Sequence, residues 1–255
     1  MSEPMAPGRG RRVLVLGGSS EIGLAIVRRL AADGPVIPVL LGRDRARLQA
    51  AGEELRRVGI GPAEIEVADA DDLEAHGPAL DAVFARPGGV DLVVLALGVL
   101  GGQDGVDGDL AESLEVLRVN VVGAGSLLLH ALRRLTAQGR GTLVVLSSVA
   151  AERPRASNAI YGAAKAGLDF LAQGLADATA GSGAHVLVVR PGFVSTKMTA
   201  GLKAAPFSTT AQAVAEATVG ALGSRAHTIW VPGQLRWLFV ILRHLPRVIF
   251  RRLPL

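Results

Sequence analysis

A tyrosine and a lysine four residues apart, Tyr161 and Lys165, stand in the run SSVAAERPRASNAIYGAAK, which opens on Ser147 and Ser148. In an alanine-rich segment that reads as helix, this spacing puts both side chains on one face with Cβ atoms about 5–6 Å apart. A free phenol titrates near ~10, and a fixed ammonium beside it favours the phenolate, which brings the group toward the range of a general acid or base. A lowered Tyr161 pKa is therefore expected. Tyr161 is also the one tyrosine of the chain. Ordinary helical neighbours share this spacing, but here a hydroxyl pair precedes it at the end of an apolar run, TLVVLSS, and a glycine-rich turn stands near the start of the chain. Ser148, thirteen residues before Tyr161, is the candidate to hold a reacting oxygen, whereas Ser147 equally suits a turn or a cap.

Apolar strand-like runs alternating with helical patterns must position these groups. Residues 13–16 form a short buried strand followed by Gly17-Gly18-Ser19-Ser20-Glu21-Ile22-Gly23 and a helical stretch. Strand, glycine turn and helix together offer backbone N–H groups and a positive helix end to a pyrophosphate. A second strand, 36–41, contains Pro38, which is expected to shorten it or make its start irregular. It ends at Gly42-Arg43-Asp44, where an acid would pair with an adenosine 2′-hydroxyl and an arginine would accommodate a 2′-phosphate. Arg43 points to NADPH, and the adjacent Asp44 keeps NADH open.

A helix over 46–58 leads to a third strand, 63–68, closing on Asp69, which could accept from an adenine amine or cap the next segment. The continuous apolar run 90–97, ending in Gly98, suits a central parallel strand. After a polar loop over 101–109, a long helix over 111–135 carries Asn120 among aliphatic residues. An unpaired amide there costs on the order of 1–3 kcal/mol, so Asn120 has either a structural partner near Gly123 or a catalytic one through water. A fifth strand, 142–146, delivers the serine pair, and a sixth, 185–190, ends in Pro191-Gly192-Phe193-Val194-Ser195-Thr196. The pattern predicts a single α/β domain with a doubly wound, Rossmann-like parallel sheet over 12–232.

Composition agrees. A chain of 255 residues, 49% hydrophobic, can bury one large core. No cysteine is present, which removes disulfides, thiolate nucleophiles and cysteine zinc sites and fits a reducing compartment. The five histidines have no metal-ligand spacing, so no metal is expected. With a net charge of +4 and no interleaving of arginine with aromatics in the main body, no nucleic acid is expected as a partner. Residues 1–11 are polar and Pro/Gly-rich, and are expected to be disordered. The following VLVL run is too short for a signal peptide core.

GGSSEIG, Asn120, Ser148, YGAAK and PGFVST, in this order, resemble the short-chain dehydrogenase/reductase family over 12–232. The resemblance implies a nicotinamide cofactor, a homodimer or homotetramer, and roles by position. Tyr161 would donate the proton, Ser148 hold the substrate oxygen, Lys165 bind the nicotinamide ribose and lower the Tyr161 pKa, and Asn120 hold a relay water. Cofactor contacts would come from Gly17, Ser19, Ser20, Glu21, Ile22 and Gly23, from Arg43, Asp69, Ala70, Ala96 and Gly98, and from Pro191, Gly192, Val194 and Thr196. Two departures from the family pattern, Leu16 with Glu21 in the turn and Leu95-Ala96-Leu97-Gly98 for the usual NNAG, replace polar contacts that brace the sheet. A pure cofactor-binding scaffold is the alternative, and the intact Ser–Tyr–Lys set argues against it.

More narrowly, GGSSEIG, SSVAAERPRASN and the ending WLFVILRHLPRVIFRRLPL resemble the reductases of prenylphosphoryl 2-keto pentoses in cell-wall arabinan synthesis. That resemblance implies NADH, a prenylphosphoryl keto-sugar substrate and a flavin-dependent oxidase partner that makes the ketone. The segment 233–255 reads as a basic amphipathic tail, with Arg236, Arg243 and Arg247 forming a stripe at i, i+7 and i+11. It suits a membrane interface or a prenyl phosphate, and it is far too short in its apolar run to span a bilayer. Packing of the tail on its own domain or on another subunit is the equal alternative. The expected location is peripheral membrane or cytoplasmic.

Overall fold

The computed structural model describes residues 10–102, 107–224 and 226–252. Residues 1–9, most of the segment expected to be disordered, lie outside the described residues, as do 103–106 of the predicted loop, Arg225 and the last three residues of the tail.

The chain begins with β1 (Arg11–Leu16), α1 (Glu21–Ala31), β2 (Val36–Gly42), α2 (Arg45–Arg57), β3 (Glu64–Val67), α3 (Leu73–Phe84) and β4 (Leu92–Leu95). It continues through α4 (Leu110–Leu117), α5 (Ala124–Gln138), β5 (Gly141–Leu146), α6 (Ala159–Ala178), β6 (Ala184–Pro191), β7 (Val194–Ser195) and β8 (Thr209–Thr210). α7 (Ala211–Leu222), β9 (Thr228–Val231), α8 (Leu235–His244) and α9 (Arg247–Phe250) complete it. Seven parallel strands form one sheet in the order β3-β2-β1-β4-β5-β6-β9.

Alternation along each strand sorts the core into two layers. Val13 and Val15 face α1, α2 and α7 through Leu24, Ile26, Leu48 and Val214. Leu14 and Leu16 face α3, α5 and α6 through Leu80, Leu127, Leu132 and Leu168. A sheet covered on both faces needs strands apolar at every position, which is why β1, β4 and β5 read as unbroken hydrophobic runs. The strand order reverses between β1 and β4, and ligands of open α/β sheets bind in the crevice beyond the carboxyl ends at that point.

Several elements differ from the sequence reading. Pro38 does not disturb β2, because it pairs with Val13 of β1 while β3 joins only from Val39 onward, so no ladder on the β3 side needs its missing N–H. β9 is a seventh sheet strand beyond the six expected. The predicted helix over 111–135 is α4 and α5 joined by a six-residue π-helical turn, Arg118–Gly123. This composite, Leu110–Gln138, is the one described helix long and apolar enough to cross a bilayer, yet Leu127, Leu128, Ala131, Leu132 and Leu135 bury its face against the sheet. The arginine stripe of the tail is broken. α8 ends at His244, Leu245 is extended and Pro246 starts a new turn, since helical geometry is disfavoured for a residue before proline. Arg236 and Arg243 therefore lie on α8, and Arg247 on α9.

Candidate active site

A single cavity of about 760 Å³ runs along the carboxyl ends of the central strands. Every residue predicted for catalysis or cofactor binding lines it except Gly23 and Asn120. Gly23 serves packing instead, because a Cβ there would come within 2.7 Å of Val15 Cγ1, where α1 crosses β1.

At one end of the cavity β5 brings Ser148, and α6 brings Tyr161 and Lys165 one turn apart on the same face. The Lys165 ammonium lies 5.9 Å from the Tyr161 ring centroid and donates to the Leu146 carbonyl at 2.9 Å. Burial governs both groups. It pushes the Tyr161 phenol up to about 12, with a hydrogen bond from Ser148 pulling the other way, and it lowers Lys165 to about 8, with the Asp169 carboxylate opposing. The expected depression of the Tyr161 pKa by Lys165 is not found: loss of hydration disfavours the phenolate more than a buried, hydrogen-bonded ammonium favours it. A phenol held protonated is a proton donor rather than a base, which is the state a reduction requires.

Asn120 stands in the π-helical turn, fully buried, and both ends of its amide are taken by one residue. Its Oδ1 accepts from the Val99 N–H at 2.9 Å and its Nδ2 donates to the Val99 carbonyl at 2.7 Å. The side chain thus pins the chain leaving β4, and the structural alternative describes its contacts. Asn120 still adjoins the catalytic end, because a Cβ on Gly98 would lie 2.9 Å from its Oδ1 and 3.5 Å from Lys165 Nζ. Ser147 donates to Asp169 at 2.5 Å and so is bound to a structural network, whereas Ser148, whose Oγ accepts from the Ala150 N–H at 3.1 Å, is the hydroxyl of the pair that meets the Tyr161 phenol. Asp169 also accepts two bonds from Arg190, whose guanidinium lies over the Trp230 ring at 5.0 Å.

The other end of the cavity can be tested for a dinucleotide. Gly17 has φ +89°, and a Cβ on it would meet the Leu97 N at 2.9 Å, so only glycine lets the turn lie this close to the end of β4. Ser20 caps α1 by accepting from the Gly23 N–H, which leaves the N–H groups of Glu21 and Ile22, two residues of the cavity wall, at the positive helix end. Asp69 accepts from the Asp71 N–H while Asp72 caps α3, so Asp69 is not the cap and remains in the cavity wall. Asp44 caps α2 and pairs with Arg47, leaving Arg43 at the rim without a described acidic partner. These donors, Arg43, the glycine turn and Lys165, line one cavity and fit a nicotinamide dinucleotide. Glu21, which replaces the family's glycine, accepts from the Lys197 N–H at 2.6 Å and ties the turn to the segment after β7.

The tail builds the outer wall of the catalytic end, though sequence named none of its lining residues. Leu235, Leu238, Phe239, Leu242 and Phe250 of the tail line the cavity together with Phe207. Arg153 holds the tail there, donating to the Arg243 and Leu245 carbonyls and stacking on Phe250 at 4.6 Å. Arg155, Ser157 and Asn158 also line this end. The amphipathic pattern of the tail was the usable signal, and its inner face packs on its own domain, one of the alternatives open in sequence.

The sequence profile of the short chain dehydrogenase family matches residues 11–206. An uncharacterized oxidoreductase of Mycobacterium tuberculosis (strain H37Rv) is 43% identical over 95% of this chain and 96% of its own length. An uncharacterized oxidoreductase from the mprA 5′ region of Streptomyces coelicolor is 44% identical over 97% and 98%. Among solved structures, a short-chain type dehydrogenase/reductase from Mycobacterium ulcerans superposes with a TM-score of 0.79 at 27% identity, covering 95% of this chain and 98% of that one. A gluconate 5-dehydrogenase from Burkholderia cenocepacia, in complex with NADP and tartrate, gives 0.78 at 25% identity, covering 89% and 96%. With matches of this extent to both profile and relatives, the chain belongs to the short-chain dehydrogenase family and is an NAD(P)-dependent oxidoreductase.

Proposed function

We propose that this oxidoreductase reduces the ketone of a prenylphosphoryl sugar, decaprenylphosphoryl-2-keto-β-D-erythro-pentofuranose, to decaprenylphosphoryl-β-D-arabinofuranose. The observation that carries this reading is the apolar wall the tail builds beside Ser148 and Tyr161, in a cavity that also holds Arg155, Lys197 and Lys203. Such a lining suits a ketone that is both lipidic and anionic. A flavin-dependent oxidase supplies the ketone in this scheme, so the two enzymes together epimerise a ribose to the arabinose donor for cell-wall arabinan.

A bound nicotinamide supplies the hydride. The chain's own residues do the rest: Tyr161 gives its proton to the ketone oxygen, Ser148 donates a hydrogen bond to it, and Lys165 holds a positive charge beside the phenol as negative charge develops. The test supplies the purified protein with NADH or NADPH and the keto-pentose, and identifies the sugar formed. Arabinose-configured product is expected, and no cofactor oxidation with that ketone rejects the reading. Oxidation with a β-oxoacyl ketone instead would favour the second reading, a reductase of another lipid or oxoacyl ketone, which the same apolar wall also suits.

NADPH is the cofactor favoured by the rim, since Asp44 is engaged and Arg43 is not. Arg43→Ala is expected to raise the KM for NADPH about 10- to 100-fold, the loss of one charge-assisted contact, with little change for NADH. Equal effects on both cofactors would reject the 2′-phosphate role.

The outer face of the tail supports contact with an anionic membrane surface. Trp237 is 66% exposed and Ile241 63%, four residues apart on α8, with Val248 at 65% on α9. No acid follows Glu216, whereas six arginines do. A second copy meeting this face about a twofold axis would oppose arginine to arginine, while anionic lipid headgroups neutralise them at about 1 kcal/mol each. The protein is expected to sediment with phosphatidylglycerol vesicles and not with phosphatidylcholine vesicles, and to lose that binding in high salt. Equal sedimentation with both lipids would remove the role of anionic headgroups, and no sedimentation with either would remove the membrane assignment.

A further inference from the structure

The loop between Ser148 and Tyr161 brings an unneutralised cation to the catalytic cavity. Arg155 lines the cavity, its Nε is buried without a hydrogen-bond partner, and among the described residues it forms no ion pair. Burial alone lowers its pKa, with no carboxylate nearby to oppose the shift. Three residues on, Asn158 occupies the N-cap position of α6, where asparagine is favoured because its oxygen accepts from a first-turn N–H. Here it makes no such bond, and its Oδ1 is buried and unpaired.

Four buried side-chain nitrogen or oxygen atoms lack a partner among the described residues, and two of them belong to this pair in the cavity wall. Folded proteins leave few such atoms unbonded, because each costs about 1–3 kcal/mol. A guanidinium in the cavity wall and, three residues on, an amide oxygen with no partner inside the protein are what a ligand with an anionic group and a hydroxyl would satisfy. The acids lining the cavity, Glu21, Asp44 and Asp69, belong to the cofactor half, so they leave the charge of Arg155 available.

We propose that Arg155 and Asn158 form a substrate subsite, in which the Arg155 guanidinium binds a phosphate-type anion and the Asn158 amide oxygen accepts from a neighbouring sugar hydroxyl. This deepens the reading given above and rests on it for the lipid phosphate. The positive end of the twenty-residue α6 favours the same anion. The guanidinium fork matches phosphate geometry in a way an ammonium does not.

Calorimetry on the full chain, saturated with oxidised nicotinamide dinucleotide, tests it with farnesyl phosphate, farnesol and inorganic phosphate as probes. The wild-type protein is expected to bind farnesyl phosphate at least about tenfold more tightly than farnesol, equivalent to about 1.4 kcal/mol. Arg155→Gln should erase that preference while leaving farnesol binding unchanged, which also shows that the variant is folded, and Arg155→Lys should restore only part of it. Asn158→Ala should weaken farnesylphosphoryl arabinose but not farnesyl phosphate. The same phosphate preference in wild type and Arg155→Gln would overturn the subsite, as would inorganic phosphate binding as tightly as farnesyl phosphate. Turnover of the prenylphosphoryl keto-pentose without dependence on Arg155 overturns the subsite and leaves the proposed reaction standing. Arg155-dependent binding of farnesyl phosphate without turnover of that ketone overturns the reaction and leaves the subsite standing.

Discussion

Tyr161→Phe is expected to lower kcat by about 10²- to 10⁴-fold while leaving the dissociation constant of the nicotinamide cofactor unchanged. The substitution removes one oxygen and keeps the ring that Lys165 faces at 5.9 Å, so the wall of the cavity survives. With its pKa pushed up to about 12 by burial, the phenol stays protonated through the ordinary pH range and is a loaded donor for reduction. The alkaline fall in reduction rate should then come from its neighbour. Lys165 has been lowered to about 8, so its positive charge is present below that pH and is lost as pH rises through it. A kcat profile that falls near 8 agrees with this assignment. Wild-type turnover in Tyr161→Phe would falsify the proton-donor role.

Loss of the buried carboxylate at position 169 should have the largest effect on stability. Asp169 is 3% exposed, accepts from Ser147, Gln173 and two nitrogens of Arg190, and sits one turn beyond Lys165 on α6. Asp169→Ala leaves Arg190 largely buried with only Glu152 beside it at 3.5 Å, and breaking a buried pair from one side costs about 3–5 kcal/mol. Urea unfolding should show a midpoint lowered accordingly, and an unchanged midpoint would mean that the network contributes nothing. Asp169→Asn keeps the shape and removes the charge. Since that charge raises the Lys165 pKa, its removal should move the alkaline limb of the rate profile to lower pH. A merely structural role would not move the limb.

Much of this architecture is local in sequence and was legible there. β1, β4 and β5 announce themselves as apolar runs, and Tyr161 and Lys165 need only helical spacing to meet. β9 was missed because TIWV is only four residues long, too short for a strand period to stand out. α3 was given no bounds in sequence, and the structure runs it through Gly77-Pro78. What sequence did not give depended on distant partners. Asn120 meets Val99 across 21 residues, and Ser147 meets Asp169 across 22. The Tyr161 shift was misjudged in sign because only charge could be read from spacing, and burial, which decides the outcome, is set by the whole fold.

The acid-free ending has a consequence for the molecule as an electrostatic object. Six of its 27 basic residues follow Glu216, so the first 216 residues carry 21 basic against 23 acidic groups. A modest overall charge of +4 thus conceals a slightly negative body joined to a strongly positive pole. Under the membrane contact proposed above, a body charged in this way would turn in the field of an anionic surface before touching it and meet it with the pole leading. Because residues of that pole also frame the reaction chamber, approach and alignment of the opening would then be one event.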